Sequence, residues 1–164
     1  MPHRFRALFL SIAALASACQ PQLSPQPRPP SPNGGNHAEL VQAAEHFLRA
    51  FDNMEWEPFH AAWSASPSAF FPFRDTPERV DGAAVATRFR TFFDEIKATR
   101  EGPPYLRLSP VNVRAEVMGA TGLVTFMLGR PPGTIGRRTL LFVREGDQWK
   151  LAHLHASSME PAAR

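Results

Sequence analysis

Apolar residues recur along this chain with two different periods, and the change from one to the other divides it into a helical half and a strand half. Leu40, Ala44, Phe47, Leu48 and Phe51 keep the spacing of a single helical face. Asn36, with Glu39 three residues on, supplies an approximate capping box, in which short polar and acidic side chains satisfy unpaired N–H groups. A first helix is therefore expected over residues 36–53. Trp56, Phe59, His60 and Trp63 repeat at i, i+3, i+4 and i+7, which predicts a short second helix over 55–64 with an aromatic face. Residues 69–73, AFFPF, suit a short edge strand, where the missing N–H of Pro72 does least harm. Asp81-Gly82 then opens a third helix whose stripe is Val85, Phe89, Phe92, Phe93 and Ile96, and the run REGPP at 100–104 ends it.

Strand patterning takes over from there. Residues 105–117 read as extended, with Pro110 at a bulge or edge position, and a turn at 119–122 reverses the chain into 123–128. After a loop rich in Pro and Gly at 130–136, strands are expected over 137–144 and 148–157, joined by the hairpin signal Glu145-Gly146-Asp147. Helix, helix, short strand, helix and four meandering strands make an α+β arrangement, with the helices laid on one face of a mostly antiparallel sheet. No internal repeat is visible.

Composition supports one ordinary domain: the chain has 164 residues, 43% of them hydrophobic, enough for a real core. The formal charge of +3 would suggest a polyanionic partner only if it were concentrated on the domain. Arg4, Arg6 and Arg28 precede residue 37 while every acidic residue follows it, which leaves 15 basic and 15 acidic side chains beyond that point. A neutral domain without a basic run lacks the footprint that phosphate-backbone recognition requires, so no nucleic-acid partner is expected.

The only cysteine is Cys19, which leaves no internal disulfide or cysteine-ligated metal site for the domain. Arg4 and Arg6, an apolar stretch at 7–15 and the small residues Ala16-Ser17-Ala18 have the pattern of a signal peptide over 1–18. That stretch falls short of the roughly 20 residues a membrane span needs. Leu15-Ala16-Ser17-Ala18-Cys19 resembles a bacterial lipobox, with its leucine one place further from the cysteine than usual. The resemblance implies lipidation at Cys19 and a location in the cell envelope, anchored to a membrane and facing the periplasm or exterior; ordinary secretion after cleavage at the same site is the alternative. Residues 21–36, PQLSPQPRPPSPNGGN, bury almost nothing and favour extended polyproline II. Residues 19–36 are thus expected to be a tether and 37–160 the domain.

The segment 138–157, RTLLFVREGDQWKLAHLHAS, is similar to the closing hairpin of SnoaL-like and DUF4440-like members of the NTF2-like superfamily, which end in a turn, a Trp and a His-x-His-x-Ser-like strand. Similar runs occur in the association domain of calmodulin-dependent kinase. The resemblance implies three N-terminal helices packed on a curved, mostly antiparallel sheet, a conical pocket between them, and often a dimer. Members include isomerases, dehydratases, hydrolases, polyketide cyclases and many proteins with no known reaction, so the fold leaves function to the pocket residues.

Several residues are candidates for that pocket. Trp56, Trp63, Phe71 and Phe92 would give it hydrophobic walls. Arg138, in parity with Leu140 and Phe142, would anchor an anion, or else it is a solvated residue at the strand start. His153 and His155 leave one face of a strand about 7 Å apart and share parity with Trp149, Leu151 and Ser157, a face that meets either the pocket or a partner subunit. No third ligand is evident, so no metal and no cofactor are expected. His60 is the candidate general base of an enzyme alternative, a dehydratase, isomerase or hydrolase. The ketosteroid isomerase constellation of a base carboxylate, a tyrosine and a protonated aspartate is missing. The sole tyrosine, Tyr105, opens a strand, and Asp52, Asp75, Asp81 and Asp94 all lie outside the expected strands. The leading expectation is a domain that binds a small, partly apolar molecule; a dimerisation or assembly domain working through the sheet is the third reading.

Overall fold

The computed structural model describes residues 33–72, 76–130 and 133–159. Cys19, Arg74 and Asp75, and the expected leader and most of the tether, lie outside the described residues. Three helices, α1 (Asn33–Asp52), α2 (Trp56–Ala61) and α3 (Ala83–Thr99), pack on a six-stranded sheet of β1 (Trp63–Phe70), β2 (Val80–Asp81), β3 (Pro110–Met118), β4 (Thr121–Arg130), β5 (Thr134–Glu145) and β6 (Gln148–Met159). The strand order is β2-β1-β6-β5-β4-β3, and every pairing is antiparallel except β1 with β6. This is the expected α+β class, three helices on one face of a curved, mostly antiparallel sheet.

Each helix forms where its apolar stripe finds a partner. On α1 the buried residues are Leu40, Ala44, Phe47 and Ala50, and Arg49 in the last turn complements the helix dipole. The helix begins at Asn33, upstream of the expected cap at Asn36; the polar residues before Leu40 hold no apolar repeat that would mark the extra turn. Leu40 lies over Gly122 of β4, so close that a β-carbon there would sit 2.5 Å from Leu40 Cδ1; the glycine lets the helix approach the sheet. At six residues α2 is too short to hold itself. Phe59 pins it, with ring centroids 5.0 Å from Phe47, 4.9 Å from Phe89 and 4.8 Å from Phe93.

The β5–β6 hairpin turns through Gly146-Asp147, with Gly146 at φ 59° as a type II′ turn requires at its first central residue. Two expectations fail in the sheet. Of the segment expected as an edge strand at 69–73, Ala69 and Phe70 are instead the end of β1, which starts at Trp63 and lies inside the sheet between β2 and β6. Pro67 is accommodated because the β1–β6 register shifts between Trp63 and Ser68, and its carbonyl accepts from Gly82 N at 2.8 Å. Residues 105–109 are not strand either: Tyr105 N donates to Asp52 O and Leu108 N to the Asp52 carboxylate, which ties this segment to the end of α1.

A third departure, in β6, decides where the histidines go. Leu151 pairs with Phe142 and His153 with Leu141, so Ala152 is an extra residue, a β-bulge. Trp149 and Leu151 face the helices before it, and Leu154 and Ala156 face them after it, all four buried. His153 and His155 therefore lie on the opposite face from Trp149 and Leu151, against the shared parity expected from the sequence.

Candidate functional site

Between the helices and the sheet lies a cavity of about 280 Å³. Its walls come from every layer of the fold: Phe47, Leu48 and Phe51 from α1, Phe89, Phe92 and Ile96 from α3, Phe126, Leu128 and Leu140 from β4 and β5, and Leu154 and Ala156 from β6. Phe71 and Pro72, just past β1, and Leu106 and Leu108, in the segment tied to Asp52, complete it. The aromatic walls are braced by one another. Phe51 lies 5.8 Å from both Phe89 and Phe92, and Phe71 lies 5.1 Å from Phe89.

Polar groups on this lining are few. Arg88, Arg100, Arg138 and Ser158 are the only described lining residues with a polar side chain. Arg138 Nη1 donates to the carbonyls of Arg137 and Ser157 at 2.8 and 2.9 Å, which orients the guanidinium against the strand. Arg100 Nη1 donates to Tyr105 O at 3.5 Å, at the far end of α3. Arg88, Phe92, Ile96 and Arg100 follow one another at four-residue spacing, a second stripe beside the buried stripe of Val85, Phe89 and Phe93. Arg88 and Arg100 were not singled out from the sequence, although that spacing, two cations bracketing two apolar residues, was the signal available.

Of the candidate pocket residues, the structure brings Phe71, Phe92 and Arg138 to this cavity. Trp56, His60 and Trp63 line a different, open groove between α2, β1 and the start of α3. His60 is exposed and stacks on Trp56 with centroids 5.1 Å apart, while Arg90 covers that indole at 4.6 Å. Phe59, on the inner face of α2, separates this groove from the interior.

His153 and His155 lie on the outer face of the sheet, where Phe70 packs against both rings at 5.9 and 5.5 Å. Ser68 Oγ is 2.8 Å from His153 Nδ1. Burial lowers the His153 pKa below its usual 6.5, and the neighbouring His155 and Arg79 push it further down against an opposing pull from Asp81. Among the described residues no group of three or more His, Cys, Asp or Glu side chains could hold a metal ion. None of the described helices is long and apolar enough to cross a membrane.

Three helices packed on a curved, mostly antiparallel sheet, with an aromatic cavity between the two layers, define the class of the molecule. Residues 40–161 match the SnoaL-like domain, and the chain belongs to that family. No curated protein matches it. Among solved structures, a candidate dehydratase of the NTF2-like family from Streptomyces avermitilis is similar with 21% identity and a TM-score of 0.64, covering 77% of this chain and 98% of that one. An NTF2-like protein of unknown function from Pseudomonas putida shares 18% identity with a TM-score of 0.62, covering 75% and 86%. The CaMKII hub of S. rosetta shares 19% identity with a TM-score of 0.59, covering 80% and 100%. At these identities the likeness is one of fold.

Proposed function

We propose that the SnoaL-like domain serves to bind a small, partly apolar molecule in the cone. The carrying observation is the chemistry of the lining. Aromatic and aliphatic side chains surround a cavity of about 280 Å³, and none of its described residues is a His, Asp, Glu, Cys or Tyr. Such a wall retains a ligand by removing its apolar surface from water. General acid–base chemistry, by contrast, needs a titratable group within reach of the reacting atom, and His60 faces a separate groove.

The uncharged fluorophore N-phenyl-1-naphthylamine tests this. Its emission should rise on one-to-one binding to the protein. Ala156→Phe, which fills the cavity from β6, should weaken that binding by about tenfold or more, since overpacking leaves no room for the probe. Equal binding to a folded Ala156→Phe protein would remove the cone as the site.

We further propose that the domain works in the cell envelope, held to a membrane through a lipid on Cys19 and standing off it on the proline-rich tether. The support is the order of charged, apolar and small residues before Cys19 and the composition of residues 21–36. Metabolic labelling with palmitate should mark the native protein and not Cys19→Ser; equal labelling of the two would overturn the anchor.

A second reading, assembly of two copies through the sheet, is supported by a separate observation. Val111, Met118, Ile135 and Met159 are 49%, 52%, 37% and 42% exposed. Their register partners put them on the face turned away from the helices. Because the cone opens on the other side of the sheet, the two readings are compatible.

A further inference from the structure

We propose that residues 101–109 form a strap that opens and closes the cone, with Asp52 as its latch: the ligand enters and leaves when the strap lifts from the end of α1. This rests on the cone being the binding site and adds how that site is reached.

Most of the cavity wall is regular structure, and the exceptions differ in how they are held. Phe71, just past β1, is buried and packs on Phe89 at 5.1 Å, which fixes it in the core. Leu106 and Leu108 are half-buried and line the cavity from a stretch between α3 and β3 that is neither helix nor strand. The hydrogen bonds described for residues 101–108 run to the ends of α1 and α3. Tyr105 N and Leu106 N donate to the Asp52 carbonyl at 2.9 and 3.4 Å, and Leu108 N donates to Asp52 Oδ1 at 3.2 Å. Arg100 Nη1 reaches Tyr105 O at 3.5 Å. A single residue, the last of α1, therefore carries most of the attachment.

Asp52 suits this task for two reasons. The final carbonyls of a helix have no intrahelical partner, so its backbone oxygen is free to accept from the strap. Its carboxylate adds a charged acceptor, which makes a stronger bond than a neutral one. The strap itself is compact at one end, where the Tyr105 ring lies over Gly102 so closely that a β-carbon there would sit 2.7 Å from Cγ. Between the two leucines Arg107 has φ 53°, a left-handed conformation that costs a residue with a side chain. Leu106, Leu108 and Asp52 thus hold the strap down against its own backbone preference. With so few ties it can open while the strands, each held by a ladder, stay in place. A ligand in the cone gives the two leucines more apolar surface to cover, so binding favours closure.

Stopped-flow mixing of N-phenyl-1-naphthylamine with the full chain reads entry, and dilution of the complex reads exit. Asp52→Ala removes the carboxylate and leaves Leu108 N unpaired. Entry and exit should each become about tenfold faster, the size expected for losing a hydrogen bond to a charged group, with their ratio, the affinity, nearly unchanged. Asp52→Asn retains a side-chain oxygen and should fall between the native protein and Asp52→Ala. Lys97→Gln, at an exposed position of α3 off the lining, should match the native rates. In the native protein, the amides of Tyr105, Leu106 and Leu108 should exchange hydrogen together, faster than that of Leu140 in the sheet, and slow when the fluorophore binds. That measurement stands even if Asp52→Ala fails to fold.

Unchanged rates in a folded Asp52→Ala protein overturn the latch. Faster exit with unchanged entry, and so a weaker affinity, makes residues 101–109 a fixed wall and overturns the strap. Amides at 105, 106 and 108 that exchange no faster than Leu140, with or without the fluorophore, overturn it as well. Each of these results leaves the cone as a binding site, whereas a fluorophore that never binds overturns this inference together with the reading beneath it.

Discussion

His153 shows how much one residue's role depends on which face of a strand it occupies. Its Nδ1 lies 2.8 Å from the Ser68 hydroxyl, and its ring is flanked by Phe70, His155, Arg79 and Asp81. Partial burial, then His155 and Arg79, lower its pKa below 6.5, with Asp81 opposing. The unfolded chain, lacking those surroundings, takes up the proton at the ordinary value and so binds more protons than the folded one just below it. Stability from this group is therefore flat above 6.5 and is lost as pH falls from 6.5 toward the lowered folded value. The melting temperature should decline as the pH is taken from about 7.5 to about 5, and His153→Gln should flatten part of that decline. Parallel curves for the two proteins would show that the ring has no part in it. What the sequence could say of this residue was its chemistry; its position depended on Ala152, which carries no signature of a bulge. Arg88 was likewise readable in type but not in place. It belongs to a stripe one position off the buried one, and only the cavity shows that this second stripe lines it.

At the level of elements, periodic segments were legible and irregular ones were not. The stripes of α1 and α3, the β5–β6 hairpin and the strands on either side of Gly119 could be read because their side chains alternate or recur against a continuous core. The turn chemistry reinforced them, since Gly146 and Gly119 both adopt positive φ. The segment Trp63–Phe70 offered no such signal: it reads WSASPSAF, short and polar between two aromatic ends. It becomes a strand because Ala69 and Phe70 pair with Leu154 and His155 of β6 and Ser68 with Asp81 of β2, long-range pairings that no local pattern encodes. The aromatic run at 56–63 shows the reverse error. A helical stripe indicates that a face is covered, but Trp56 and His60 stack on each other with Arg90 over the indole, while Phe59 and Trp63 turn inward to the core. The cone walls had to be found in the fold, where α1, α3 and three strands converge.

Considered as a whole, the molecule has two apolar faces, and the sheet separates them. Inward, the alternation on β4 and β5 sends Phe126, Leu128 and Leu140 to the cavity. Outward, the same alternation presents Leu123, Met127, Leu141 and Val143, half-buried, with Val111, Met118, Ile135 and Met159 more exposed around them. An outer apolar surface of this kind is a common site of protein–protein contact, and a second copy would meet it with a matching apolar face related by two-fold symmetry. The equal numbers of acidic and basic side chains beyond residue 36 keep long-range repulsion from opposing the encounter. We therefore predict a mass of two chains by light scattering at micromolar concentration, falling to one on dilution. Met127→Glu places a carboxylate at the centre of this face, beside the register partners Val111 and Arg137. It should yield the single-chain mass at all concentrations with an unchanged circular dichroism spectrum. Because the substitution lies on the far side of the sheet from the cone, it should also leave fluorophore affinity unaltered. A Met127→Glu protein that keeps the doubled mass would mean that the copies meet elsewhere, and the outer strands would then need another occupant.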